Sequence, residues 1–92
     1  MTLSDTFRDL EQFPIKHTIY ALHPWSPASP AIVAQEPAEK GLPEAASALG
    51  LAYFLEVSIA QDFFHDWPDS VSTAAAHAAC SARLIHYAEH DA

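Results

Sequence analysis

Leu3, Phe7, Leu10 and Phe13 recur at intervals of three and four residues while Asp5, Arg8, Asp9 and Glu11 fall elsewhere, the stripe of an amphipathic helix. Thr2 with Asp5, or Ser4 at the start of the run, supplies an N-terminal cap, and Pro14 ends it. From Ile15 to Leu22 the period changes to two. Ile15, His17, Ile19 and Ala21 alternate with Lys16, Thr18, Tyr20 and Leu22, a β-branched and aromatic mixture that predicts a strand. Pro24, Pro27 and Pro30, spaced three apart around Trp25, exclude regular helix or central strand over 23–30. That segment reads as an ordered loop whose Trp25 plugs the edge of the core. The same spacing suits a polyproline II ligand, but it lacks a flanking Arg.

Ala31 to Gln35 reads as a second strand and Glu36 to Lys40 as a polar connection. Pro43 to Leu49 reads as a short helix, with Pro43 near its first position and Gly50 placed to end it. Leu51 to Trp67 is apolar enough to be one helix, since Leu51, Leu55, Ile59 and Phe63 fit that period. Ser58 followed by Gln61, however, has the form of a capping box ahead of Ile59, Ala60, Phe63, Phe64 and Trp67. The run therefore divides into a strand, 51–57, apolar on both faces, and a helix, 59–67. Pro68, Asp69 and Ser70 break and recap the chain before a long helix from 71 to about 89. At about 100° per residue, Val71, Ala74, Ala75, Ala78, Ala82, Leu84, Ile85 and Ala88 share half of that cylinder. His77 lies within the arc as a partly buried core histidine, and Cys80 falls on the opposite side.

The order α-β-β-α-β-α-α implies an α+β fold with a sheet of about three strands packed by helices, with an all-α bundle as the alternative. One small domain, 1–92, is expected at this length. Half of the residues are hydrophobic and 17% charged, which provides the material for a packed core rather than a disordered chain.

Charge narrows the function classes. Twelve acids face four bases, Arg8, Lys16, Lys40 and Arg83, for a net charge of −8. So few bases cannot neutralise a phosphate backbone, so no nucleic-acid partner is expected. The absence of a basic leader and of any long apolar run predicts no membrane partner and a cytoplasmic location. A lone cysteine, Cys80, fits a reducing compartment. The imbalance is regional, because Glu44 to Asp69 holds five acids and no Lys or Arg. Protonating all six histidines would reduce −8 to −2, so binding through this charge should weaken in acid as well as in salt.

Candidate chemistry is sparse. His86, Tyr87, Ala88, Glu89 and His90 match H-x-x-E-H, a zinc pattern that places His86 and His90 on one helical face with Glu89 as a base. Only Asp91 and Ala92 follow to offer a third ligand, so the pair is expected to take metal adventitiously. Asp62, His65, Asp66 and Asp69 form the densest acidic group, with Asp62 and Asp66 repelling each other at helical spacing. A solvated helix face is the ordinary reading and a docking surface for a basic partner the functional one. Glu56 interrupts an apolar strand. It lies either at the end of the sheet or buried beside Lys16 or Arg83 with a perturbed pKa. With only Gly41 and Gly50 there is no phosphate-cradling loop, dinucleotide fingerprint or Gly-x-Ser-x-Gly elbow, so no cofactor and no enzymatic activity are expected.

The runs YFLEVSIAQDFFHDW and ARLIHYAEHDA, roughly a third of the chain, resemble small bacterial proteins classed as domains of unknown function. In size and acidity the chain is similar to polymorphic-toxin immunity proteins. The resemblance brings no site residue with it and implies a bacterial cytosolic binding protein. The expected function is thus an immunity- or antitoxin-type inhibitor docking on a basic protein through Asp62, Asp66 and Asp69, with Trp25 and Trp67 as apolar anchors. The alternatives are a phage-type inhibitor that imitates nucleic acid, and a metal- or ligand-binding protein using His86, Glu89 and His90.

Overall fold

A computed structural model describes residues 1–38, 41–67 and 73–90. It is an α+β fold. The elements in chain order are α1 (Leu3–Arg8), a 3-10 turn (Leu10–Gln12), β1 (His17–Ala21), β2 (Ala31–Gln35), α2 (Glu44–Ala48), β3 (Ala52–Glu56), α3 (Val57–Asp66) and α4 (Ala74–His90). The strands form one antiparallel sheet in the order β2-β1-β3. No described helix is long and apolar enough to cross a membrane.

Of the two caps the sequence offers, Thr2 is the one that opens α1. Its hydroxyl accepts from the Asp5 amide at 3.1 Å and its own amide donates to the Asp5 carboxylate at 3.1 Å, closing a capping box. The predicted helix does not run straight to Phe13. It ends at Asp9 and resumes as the 3-10 turn, which still carries Leu10 into the core beside Leu3 and Phe7. The proline loop is stitched to this first helix. The Leu3 amide donates to the Ser29 carbonyl and the Ser4 amide to the Pro27 carbonyl, both at 2.9 Å. Trp25 closes the edge of the core as expected, edge-on to Phe54 at 4.9 Å, with its indole N–H donating to the Ala21 carbonyl at 3.3 Å.

β1 is the central strand and is covered on both sides. Ile19 and Ala21 face the main core with Phe54, Leu55, Val57, Ala60, Phe64, Leu84 and Ile85. Tyr20 faces the other way onto Ala46 of α2 and Leu51, flanked by Ile32 and Ala34. Burying each large side chain contributes about 1.5–3 kcal/mol, so the sheet is held mainly from the face that α1, α3 and α4 share.

The segment around β3 differs from the expected strand, 51–57, in two ways. Ile19 pairs with Leu55 but its neighbour Tyr20 pairs with Tyr53, so Phe54 is an extra residue, a bulge. Strict alternation is lost, and Phe54 and Leu55 are both 1% exposed although adjacent, whereas Tyr53 is 45% exposed. One face of β3 is therefore not covered as the pattern implied.

The helix that follows begins at Val57 rather than residue 59. Glu56 is its N-cap and no side chain caps it, so Ser58 and Gln61 do not form the expected capping box. The Gln61 side-chain amide is used elsewhere. It donates to the Leu10 carbonyl at 2.8 Å and ties α3 to the 3-10 turn.

On α4 the buried face is turned from the expected one. Cys80, Ser81, Leu84, Ile85 and Ala88 are buried, while Ala74, Ala75, Ala78 and Ala82 are exposed. Alanines contribute little apolar area, so Leu84 and Ile85 set the direction, and Cys80 enters the core with them. Val71, Ser70 and Pro68 lie outside the described residues.

Candidate interaction surface

α3 contains no Lys or Arg, and its Asp62 and Asp66 are both exposed one turn apart. Between them His65 contacts the Glu11 carboxylate through Nε2. Glu11 comes from the 3-10 turn, 54 positions earlier in the chain, so the structure adds to the acidic group a residue that no local spacing could have assigned to it. The Gln61 bond to Leu10 holds the same two elements together. Asp66 lies in the last turn of α3, where the helix dipole disfavours negative charge. His65, in that same turn, offsets it when cationic. Asp69, the remaining member expected of the group, lies outside the described residues.

Beside the acids is an aromatic strip. Phe63 stacks on Trp67 with ring centres 6.0 Å apart and planes at 20°, and also meets Tyr87 of α4 at 6.0 Å. All three are half-buried. The spacing of Phe63 and Trp67, one helical turn, follows from the sequence, but Tyr87 joins them only through the packing of α4. Trp25 is engaged by His23, Phe54 and the Ala21 carbonyl. Its contacts belong to the proline loop and the core, and the structure does not bring it to Asp62 or Asp66.

The carboxyl-terminal histidines are adjacent as their spacing requires. The rings of His86 and His90 are 4.5 Å apart, and His90 lies 3.8 Å from the Glu89 carboxylate. Among the described residues no group of three His, Cys, Asp or Glu is arranged to hold a metal ion. Glu56 takes the first of its two expected places. It is exposed at the end of β3, where it is the N-cap of α3, and forms no ion pair with Lys16 or Arg83 among the described residues.

His77 is half-buried against the Phe64 ring at 5.3 Å. Its Nδ1 is 3.4 Å from the Ser81 hydroxyl, and its Nε2 is buried without a hydrogen-bond partner among the described residues. It forms one wall of a cavity of about 350 Å³, together with Phe7, Arg8, Thr73 and Ala74. The Cys80 thiol is fully buried, and burial pushes its pKa up to about 11. A thiol so rarely ionised is a poor nucleophile.

Compared with family models, with curated proteins and with solved structures, the chain has no significant match in any of the three.

Proposed function

We propose that the chain is a non-enzymatic protein-binding module, an immunity- or antitoxin-type inhibitor that docks on a basic partner protein through the exposed face of α3. The observation that carries this reading is the joining of exposed acids to half-buried aromatic rings. Asp62, Asp66 and Glu11 lie beside the Phe63, Trp67 and Tyr87 strip. Interfaces take their affinity from aromatic anchors that lose water on docking, and their encounter rate and orientation from complementary charge. α3 offers both within three turns. Trp67 serves as the anchor, Asp62 and Asp66 as the steering charges, and Trp25 belongs to the core.

The test is capture from the source cell's extract by the immobilised chain at low and at high salt, repeated with Asp62→Asn/Asp66→Asn and with Trp67→Ala. A basic protein retained at low salt, released at high salt and lost from the double variant is the expected result. A basic protein retained equally by the double variant defeats this site.

A further inference from the structure

The outer face of the sheet is a second surface with its own chemistry. In an alternating strand Tyr53 and Glu56, three positions apart, would point to opposite sides. The bulge at Phe54 absorbs one residue, so Tyr53 pairs with Tyr20 and Glu56 with Thr18. Tyr20 and Thr18 share a face of β1, and therefore Tyr53 and Glu56 share it too. On the other side of β1, Ile32 pairs with Tyr20 and Ala34 with Thr18, which places Glu36, just past the end of β2, on the same face one row further along.

This face is only partly roofed. The five-residue α2 sets Ala46 over Tyr20, but Tyr53 remains 45% exposed on the β3 side, with its ring edge-on to Tyr20 at 6.4 Å. Leu49 and Leu42, which flank α2, are 61% and 43% exposed. Beneath the surface Tyr20 itself is buried, at 1% exposed. The Glu36 and Glu56 carboxylates are near enough to act, after burial, as causes of the raised Tyr53 hydroxyl pKa. Lys16 precedes β1 and pairs with neither.

An apolar patch of this kind could be covered by a second copy of the chain or by another protein, and the charge decides between them. A two-fold dimer through this face would gather four carboxylates, Glu36 and Glu56 of each copy, into one interface between molecules already at −8. A cationic side chain meets the opposite situation: an exposed phenol face whose quadrupole attracts it and two carboxylates on the same side to pair with it.

We infer that Tyr53, Glu36 and Glu56 form a docking site on the outer sheet face for an Arg or Lys side chain of a protein partner, separate from the α3 surface.

The test is a nuclear magnetic resonance titration of the full ¹⁵N-labelled chain with a synthetic Ac-Arg-Leu-Arg-Leu-Arg-NH₂ peptide, with the matching Glu-for-Arg peptide as control. The expected result is saturable shifts centred on β3 and Glu36, absent with the acidic control. Affinity should fall about threefold to fivefold in Tyr53→Ala, be retained in Tyr53→Phe, which keeps the ring, and fall similarly in Glu36→Gln/Glu56→Gln. Asp62→Asn/Asp66→Asn should leave these shifts in place, which separates this site from the α3 reading. Shifts spread over all acidic residues, shifts confined to α3, or unchanged affinity in Tyr53→Ala would each overturn the inference. So would self-association of the free chain through β3.

Discussion

The Gln61 side chain offers a direct measurement of how α3 is positioned. Its amide donates to the Leu10 carbonyl at 2.8 Å, and that carbonyl also accepts from the Phe13 amide at 3.2 Å. Removing Gln61 therefore leaves no orphaned acceptor, and the loss is the net worth of one hydrogen bond, about 0.5–1.5 kcal/mol. Alanine is the better helix former by a few tenths of a kcal/mol, so Gln61→Ala should cost about 0.5–1 kcal/mol. In a domain of this size that lowers Tm by roughly 3–6 °C. Ser58 is the internal control. If it capped the helix, Ser58→Ala would cost about 1 kcal/mol. Because Glu56 is the N-cap and Ser58 makes no capping bond, the change should stay within about 0.3 kcal/mol of neutral. Urea unfolding followed by tryptophan emission, with the slope m unchanged between variants, gives both numbers. A costly Ser58→Ala together with a neutral Gln61→Ala would refute this placement of α3 and restore the capping box.

Three other outcomes follow from the buried and capped groups. Burial raises Cys80 from 9.0 to about 11 and raises Tyr20 and Tyr53 above 10.0. Groups whose folded pKa exceeds the unfolded value stabilise below the unfolded value and lose that contribution as pH rises through the folded one. Stability should thus decline from about pH 9 upward, and Cys80 should resist iodoacetamide at pH 8 until urea unfolds the chain; rapid native alkylation would contradict its burial. Thr2→Ala should cost about 1 kcal/mol in the same urea assay. The Thr2 amide and hydroxyl hold the Asp5 carboxyl below 3.8, so that carboxyl stabilises above its unfolded value and loses the contribution as pH falls through its folded one. Carboxyl titration by nuclear magnetic resonance should find Asp5 moved back towards 3.8 in the variant. His77→Phe removes a buried nitrogen without a partner and keeps a ring against Phe64. It should be neutral or stabilising by up to about 1 kcal/mol, and a loss above about 2 kcal/mol would show that Nε2 has a partner.

The order of elements was legible because its punctuation is local. Pro14, the three prolines between β1 and β2, and Gly50 at φ +70° each act on their own backbone, and the β2 bounds Ala31–Gln35 match the expected strand. What escaped the sequence depends on contacts between distant segments. The partners of Gln61 and His65 lie 51 and 54 positions away, and neither the composition nor the spacing of α3 contains them. The rotation of α4 escapes the helical projection for a different reason. A projection gives each alanine the same weight as Leu84 or Ile85, although alanine buries far less area. At the candidate site, Asp62, Asp66 and Trp67 could be seen in one helical period. Glu11 and Tyr87, which complete the surface, come from other elements.

The two outer strands of the sheet bear on how the chain behaves when concentrated. At β2 the first residues lie across the start of the strand: Thr2 bridges Pro30, and the Ala31 amide is already committed to the Met1 carbonyl at 2.8 Å. At β3 the extra residue interrupts the even spacing that an incoming strand would need to match. Among the described residues, neither edge presents a long, flat run of open donors and acceptors. A chain in which half the residues are hydrophobic therefore has built-in protection against templated fibril growth. Trimming Met1 and Thr2 would remove the cover over the start of β2.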